Sequence, residues 1–367
     1  MTELPSLLPH EVDTDLRDAV AKLLEDRSPI DAVLHRCDAP EPFGDGARAL
    51  WAGLTDDLGV AGLPLAETEG GAEATWRETA VVVEALGRAV ADIPFFISAV
   101  MATSLAQAAG ATGLLRDLAT GHEIGAVVTP FAAPFEPRAE VGLHGSRVAG
   151  RVSAVAGALE STQLLVPHPD ALLLVRTTDA TITPLPSLDM TRRVADVELA
   201  TVEAVVLAEG REAQQAVQRA AHVSAAMLAS EQLGLAEYSL ESTVQYLQQR
   251  RQFGRVVGSF QALKHRLADL WTLLIQARAV ARYAAACAGA EEGTAAAHDL
   301  PVAASLAQSY CGPVAVKIAE ECVQLHGGIG FTWEHPAHLY LKRAKVDALA
   351  LGSAAWHRRE LAKQVDL

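Results

Sequence analysis

The sequence predicts an α+β protein in three successive parts. These are an N-terminal helical domain over residues 1–120, a middle antiparallel β-domain of barrel or sandwich form over 121–210, and a C-terminal four-helix bundle over 211–367. Three observations predict it. Apolar residues recur at the helical period throughout the first third. Between about 124 and 207 the pattern breaks into short runs rich in Val, Leu and Thr, parted by Gly, Pro or Asp. From about residue 211 the helical period returns and stays.

Each element follows from its local pattern. Residues 14–27 carry apolar positions at Leu16, Val20, Leu23 and Leu24 between charges, which predicts a helix. Residues 47–58 repeat this with Leu50, Trp51, Leu54 and Leu58 and stop at Gly59. Segments 76–91 and 93–119 predict two more helices. The stretch 64–71 ends in paired glycines but lacks a following Lys-Ser/Thr, so it is a turn rather than a phosphate loop. Strands are predicted near 124–131, 145–160, 162–168, 171–177, 181–185 and 194–207, with Val148, Gly150, Val152 and Ala154 sharing one face. The last third predicts helices over 212–250, 260–290, 301–325 and 336–349, with Pro301 and Pro336 in first turns.

Composition narrows the function. Half of the 367 residues are hydrophobic, which predicts folded domains with buried cores. The net charge of −15 argues against nucleic acid, whose phosphates demand a basic face. Cys37, Cys287, Cys311 and Cys322 are widely spaced without CxxC, the pattern of unpaired thiols in a reducing cytoplasm, and no metal-ligating set is predicted. The start is acidic and lacks the apolar run of a signal peptide. The charge-free run 93–115 contains Ser98, Thr103, Ser104, Gln107, Gly110 and Thr112, which predicts a core helix rather than a membrane span.

Two stretches carry the chemistry. Arg250-Arg251-Gln252-Phe253-Gly254 ends the long helix, and Gln261 opens the next one. A guanidinium beside a helix N-terminus suits a pyrophosphate. A structural role is the alternative: Arg250 capping its own helix and pairing with a surface acid. The second stretch is a helix striped by Val314, Ile318, Cys322 and Leu325 that runs past Gln324 into Gly327-Gly328-Ile329-Gly330. Such glycines permit close approach of backbone N–H groups to a ligand, and Gln324 offers an amide. A plain helix-to-helix turn is the alternative.

With their flanks, these stretches resemble the acyl-CoA dehydrogenase family. The resemblance rests on Arg250–Gly254 with Gly258-Ser259-Phe260-Gln261, and on Gln324-Leu325-His326-Gly327-Gly328-Ile329-Gly330-Phe331 running on to Pro336. The α–β–α order matches as well. The tail, with Leu339–Arg343 and Trp356-His357-Arg358-Arg359, resembles an actinobacterial branch handling steroid side-chain CoA thioesters. The resemblance implies FAD held at a subunit interface in a dimer of dimers. It also implies α,β-dehydrogenation of an acyl-CoA, with Arg250, Phe253, Gln261, Gln324, Gly327 and Gly328 reaching the FAD of the neighbouring subunit.

The chain departs from the family where the chemistry should occur. The usual glutamate base, about 23 residues beyond the glycine pair, is Leu351 here. An alternative base position on the long helix falls near Leu233, with Glu231 and Glu237 the nearest acids. Glu231 shares a stripe with Val217, Ala221, Ser224, Leu228 and Leu235. Its desolvation there would raise its pKa and suit a base. The alternative is a carboxylate bonded to Arg or solvent. The β-domain shows Thr129-Pro130-Phe131…Glu136-Pro137-Arg138 and Ala156-Gly157-Ala158-Leu159 in place of a flavin cradle. The leading expectation is therefore one subunit of an α₂β₂ FAD-dependent acyl-CoA dehydrogenase, completing the flavin site of a related partner and passing electrons to an electron-transfer flavoprotein. An active homotetramer using Glu231, and an inactive scaffold subunit, are the alternatives.

Overall fold

The computed structural model describes residues 7–38 and 43–365, so the outer predicted limits, 1 and 367, lie outside the described residues. The first part is helical: α1 (Glu11–Arg27), α2 (Ile30–Asp38), α3 (Asp45–Ala52), α4 (Trp76–Arg88), α5 (Thr103–Ala108) and α6 (Thr112–Ala119). The helix predicted over 93–119 is three pieces. A wide π-type segment, Phe96–Ala102, leads into α5, and the chain turns at Gly110 (φ +67°) before α6. Phe95, Phe96, Ile97, Val100 and Met101 are buried, so the run is core. Among the described residues no helix is long and apolar enough to cross a membrane.

The β-domain is two four-stranded sheets. One orders β1 (Gly125–Val127), β4 (Gln163–Pro167), β5 (Ala171–Arg176) and β8 (Val205–Glu209). The other orders β2 (Gly142–His144), β3 (Arg147–Ala156), β7 (Val194–Glu203) and β6 (Thr181–Leu185). Pairing is antiparallel except for β1 with β4, which run parallel, Ala126 opposite Leu164. The strand predicted over 194–207 is two, because the chain leaves one sheet at Glu203 and enters the other at Val205. The predicted alternation holds at Val148 and Val152, paired with Val202 and Val197. It then shifts at Ala154 (φ +57°), so that Val155 is the buried residue.

The bundle contains α7 (Gly210–Gln249), α8 (Gln261–Ala288), α9 (Ala295–His298), α10 (Leu300–His326), α11 (Ala337–Asp347) and α12 (Ala354–Gln364). Between α7 and α8 lies a two-stranded hairpin, β9 (Arg251–Gln252) with β10 (Arg255–Val256). Pro301 sits in the first turn of α10, as predicted, whereas Pro336, expected in a first turn, is the N-cap residue just before α11. The sequence reading missed α12, which packs on α10. The four cysteines are unpaired.

Small residues on α7 serve tight packing against α4. A Cβ at Gly234 would stand 2.1 Å from the Glu84 carbonyl oxygen, and one at Gly87 would stand 2.4 Å from that of Glu231. Backbone cannot yield as a side chain can, so Gly234→Ala should destabilise by about 1–3 kcal/mol despite alanine's better helix propensity. Urea unfolding checks this; an unchanged midpoint would mean that the α4–α7 crossing is loose.

Candidate functional site

The two sequence motifs meet at one end of the bundle. Arg250 ends α7, and its carbonyl accepts a hydrogen bond from Val257 N–H at 2.8 Å, which folds the β9–β10 hairpin back on the helix. The hairpin tip is Phe253, 89% exposed with φ +53°, and its ring meets Phe260 edge-on at 6.3 Å. The Arg255 guanidinium lies over the other aromatic of this pair, 3.7 Å from the Phe260 centroid. One turn back on α7, Tyr246 stacks on His326 at 4.5 Å, joining the last turn of α7 to the end of α10. Glu321 of α10 binds both Arg266 of α8 and Lys317.

This frame presents the predicted cofactor residues outward. Arg250, Phe253, Gln261, Gln324, Gly327 and Gly328 are all exposed. The guanidinium of Arg250 makes no ion pair among the described residues, so the alternative of a paired surface cap has no partner. Gln261 is the first residue of the 28-residue α8. Gly327 (φ +64°) turns the chain where α10 stops. Exposed Ile329, Phe331 and Trp333 extend the same surface with apolar area. A free guanidinium, two amides, a long helix's N-terminus and a glycine turn together suit a nucleotide pyrophosphate.

Leu351 is buried, and its N–H donates to the Phe131 carbonyl at 2.9 Å. Phe131 meets Phe96 edge-on at 6.4 Å, and the Arg192 guanidinium lies over both rings at 5.1 and 5.2 Å. Arg138 bonds Thr129 Oγ1 and the Pro134 carbonyl, both at 2.7 Å, which draws the 129–138 loop onto itself.

Behind these rings lies a buried ion cluster that the sequence reading missed. Arg192 donates to both oxygens of Glu231 at 2.7 Å and to Asp347 Oδ1 at 2.6 Å. Arg343 bonds Glu231 Oε1 and Thr191 Oγ1, both at 2.5 Å, and also Asp189. Asp189 and Asp347 are wholly buried, and Glu231 and Arg343 nearly so. Three acids face two cations, and burial, then the neighbouring Glu231, pushes the Asp347 carboxyl well above its usual range. Its Oδ2 has no hydrogen-bond partner.

The cluster corrects the expectation for Glu231. Burial alone would raise its pKa, but Arg192 and Arg343 overcome burial and hold it below the usual carboxylate range. A carboxylate gripped by two guanidiniums is a poor proton acceptor. Glu237 is likewise held by Arg88 and Arg278. Arg343 and Asp347, one turn apart on α11, were a legible sign of inward-facing charge.

Family models described as "Acyl-CoA dehydrogenase, N-terminal domain" and "Acyl-CoA dehydrogenase, C-terminal domain" match residues 10–113 and 214–365. The chain is 33% identical to "Acyl-CoA dehydrogenase IpdE2" of Mycolicibacterium smegmatis over 354 residues, 95% of this chain and 97% of that protein. It belongs to the acyl-CoA dehydrogenase family. Among solved structures, the ChsE4-ChsE5 complex from Mycobacterium tuberculosis is similar at 25% identity and TM-score 0.85, covering 98% of this chain and 99% of that chain. The Tcur3481-Tcur3483 steroid ACAD variant is similar at 25% identity and TM-score 0.83, covering 97% and 98% of the two chains. Butyryl-CoA dehydrogenase from Megasphaera elsdenii, at 19% identity and TM-score 0.86 over 98% and 99%, shares the fold.

Acyl-CoA dehydrogenases are FAD-dependent oxidoreductases acting on acyl-CoA, so FAD is the cofactor to fit. The outward arm of this acyl-CoA dehydrogenase fits the nucleotide half of FAD, because the Arg250 guanidinium and the Gln261 and Gln324 amides are exposed. At the family's base position stands Leu351, buried and unable to take a proton.

Proposed function

We propose that this chain is one subunit of a heteromeric α₂β₂ FAD-dependent acyl-CoA dehydrogenase, and that Arg250, Phe253, Gln261, Gln324, Gly327 and Gly328 clamp the FAD seated mainly in a related partner. The observation that carries this reading is the contrast within one chain. The arm is exposed, with no ion pair on Arg250 among the described residues, while a buried leucine, Leu351, stands at the base position and the nearby acid Glu231 is held by two guanidiniums. In this role Arg250 and the α8 N-terminus bind pyrophosphate oxygens, Gln324 and the glycine turn hold the nucleotide, and exposed Phe253 excludes water from it. When bound, FAD supplies the hydride acceptor for α,β-dehydrogenation. The α-proton goes to a partner carboxylate, since Leu351 takes none. A steroid side-chain CoA thioester is the substrate class, supported by the likeness to a steroid ACAD and to the ChsE4-ChsE5 complex. The assembly works in the cytoplasm with an electron-transfer flavoprotein as acceptor.

The test is to purify the chain alone and with a related acyl-CoA dehydrogenase subunit. The chain alone should carry little flavin and no activity, and the complex should carry both. Stoichiometric flavin with full activity in the isolated chain would overturn the heteromer. Flavin in the complex that no acyl-CoA bleaches would point instead to a scaffold.

A further inference from the structure

A cleft of about 750 Å³ opens where the N-terminal helices meet the bundle, a size that suits a small-molecule ligand. Its walls are the start of α4, the end of α5, the first turns of α7 and the end of α8. No residue of the β-domain, of the Arg250 arm or of the Leu351 turn lines it. Close packing fixes two of these walls against each other. A Cβ on Gly289, at the end of α8, would stand 2.6 Å from Thr75 Oγ1, at the start of α4.

Arg219 on α7 is half-buried and is the one cation lining this cleft. A guanidinium carries five N–H donors. Arg219 makes one long hydrogen bond, 3.4 Å, to the Ala288 carbonyl, and feels a longer-range attraction from Glu292. Burial pushes its pKa below arginine's usual range, and Glu292 opposes this. A desolvated guanidinium with most of its fork unused favours a carboxylate, which it can grip through two parallel bonds. The alternative is a structural role, with Arg219 steadying the carbonyl end of α8.

The cleft does not suit a simple anion. Glu212, in the first turn of α7, and Glu292, beyond the end of α8, are exposed on it and make no ion pair among the described residues. Two carboxylates against one guanidinium leave the cleft net negative, which disfavours a free anion. A simple cation would meet Arg219. A ligand carrying both charges satisfies all three groups. Ala108, Ala216 and Val223 supply apolar wall for a short aliphatic spacer between them.

We propose that this cleft binds a small zwitterion of the amino-acid class, its carboxylate held by Arg219 and its ammonium facing Glu212 and Glu292. The site is independent of flavin, of acyl-CoA and of the heteromer.

Calorimetric titration of the full-length chain tests it. The probes are 4-aminobutyrate and 6-aminohexanoate, each set against the plain acid and the plain amine of its own length. At least one amino acid should bind roughly tenfold more tightly than either single-charge analogue, the worth of a second charge-assisted contact. Arg219→Leu should lose that tenfold. The double variant Glu212→Gln/Glu292→Gln should bring the amino acid down to the level of the plain acid, while the plain acid binds no worse than before. Both glutamates are exposed, so this variant folds and keeps the test open should Arg219→Leu fail to fold. Saturating probe should also raise the Tm of the wild type and leave that of Arg219→Leu unmoved. Amino acids that bind no better than their single-charge analogues would overturn the assignment. So would unchanged binding in the glutamine double variant. An Arg219→Leu protein that melts earlier yet binds as the wild type does would establish the structural role instead.

Discussion

Arg343→Met should cost the chain about 3–5 kcal/mol of stability, because breaking one side of a buried ion cluster strands charge that water cannot reach. Arg343 is nearly fully buried and holds Asp189, Glu231, Thr191 and the Ala91 carbonyl. Met fills comparable volume, so the loss reports charge and hydrogen bonding rather than a cavity. Without Arg343, Asp189, Glu231 and Asp347 face Arg192 alone. Urea unfolding should show a markedly lower midpoint; a midpoint within experimental scatter of the wild type would mean that the cluster is not energetically coupled.

The two acids bound to Arg192 should answer differently to neutralisation. Glu231 has a folded pKa below its unfolded value, so its stabilisation is present above the ordinary carboxylate range and is lost as pH falls through the depressed value. Asp347 has a folded pKa well above its unfolded value, so its contribution is complete below the unfolded pKa and is lost as pH rises through the raised one. The opposite directions make Glu231 the charge the cluster is built around and Asp347 the readier of the two to take a proton. Glu231→Gln should therefore approach the cost of Arg343→Met, whereas Asp347→Asn, which keeps an acceptor for Arg192, should cost under about 1 kcal/mol. Equal costs would show that both carboxylates are ionised.

What the sequence disclosed depended on how local each signal was. The order of the three parts was legible because it needs only the change of apolar period, and the long helices α7, α8 and α10 lie within one or two residues of their predicted limits. The two motifs were legible as sequence because Arg250–Gly254 and Gln324–Gly330 are each contiguous. The helical break at Gly110 was hidden by apolar residues on both sides of it. The ion cluster was out of reach for a different reason. Its members run from Asp189 in a β-loop to Asp347 at the end of α11, so only the tertiary fold brings them together. Glu231 was singled out as a desolvated acid, and it is one. The sign of its pKa shift depends on two arginines more than 35 residues away in either direction.

Removing Arg250 separates the arm's function from the fold's stability. Its side chain is exposed and makes no ion pair among the described residues, so Arg250→Ala should leave the unfolding midpoint of the isolated chain within about 0.5 kcal/mol of the wild type. In the assembled complex the same change removes a charge-assisted pyrophosphate contact, and the Kd for FAD should rise roughly 10- to 100-fold, equivalent to about 1.5–3 kcal/mol. Arg250→Lys should fall between, because an ammonium keeps the charge but loses the forked geometry. Flavin affinity is read by fluorescence recovery as FAD is displaced from the complex, with unfolding of each isolated variant as the control. The order wild type, Lys, Ala in affinity, with no such order in stability, is what a lent binding arm requires. Its alternative as a helix cap predicts the reverse, with stability falling and flavin affinity unmoved.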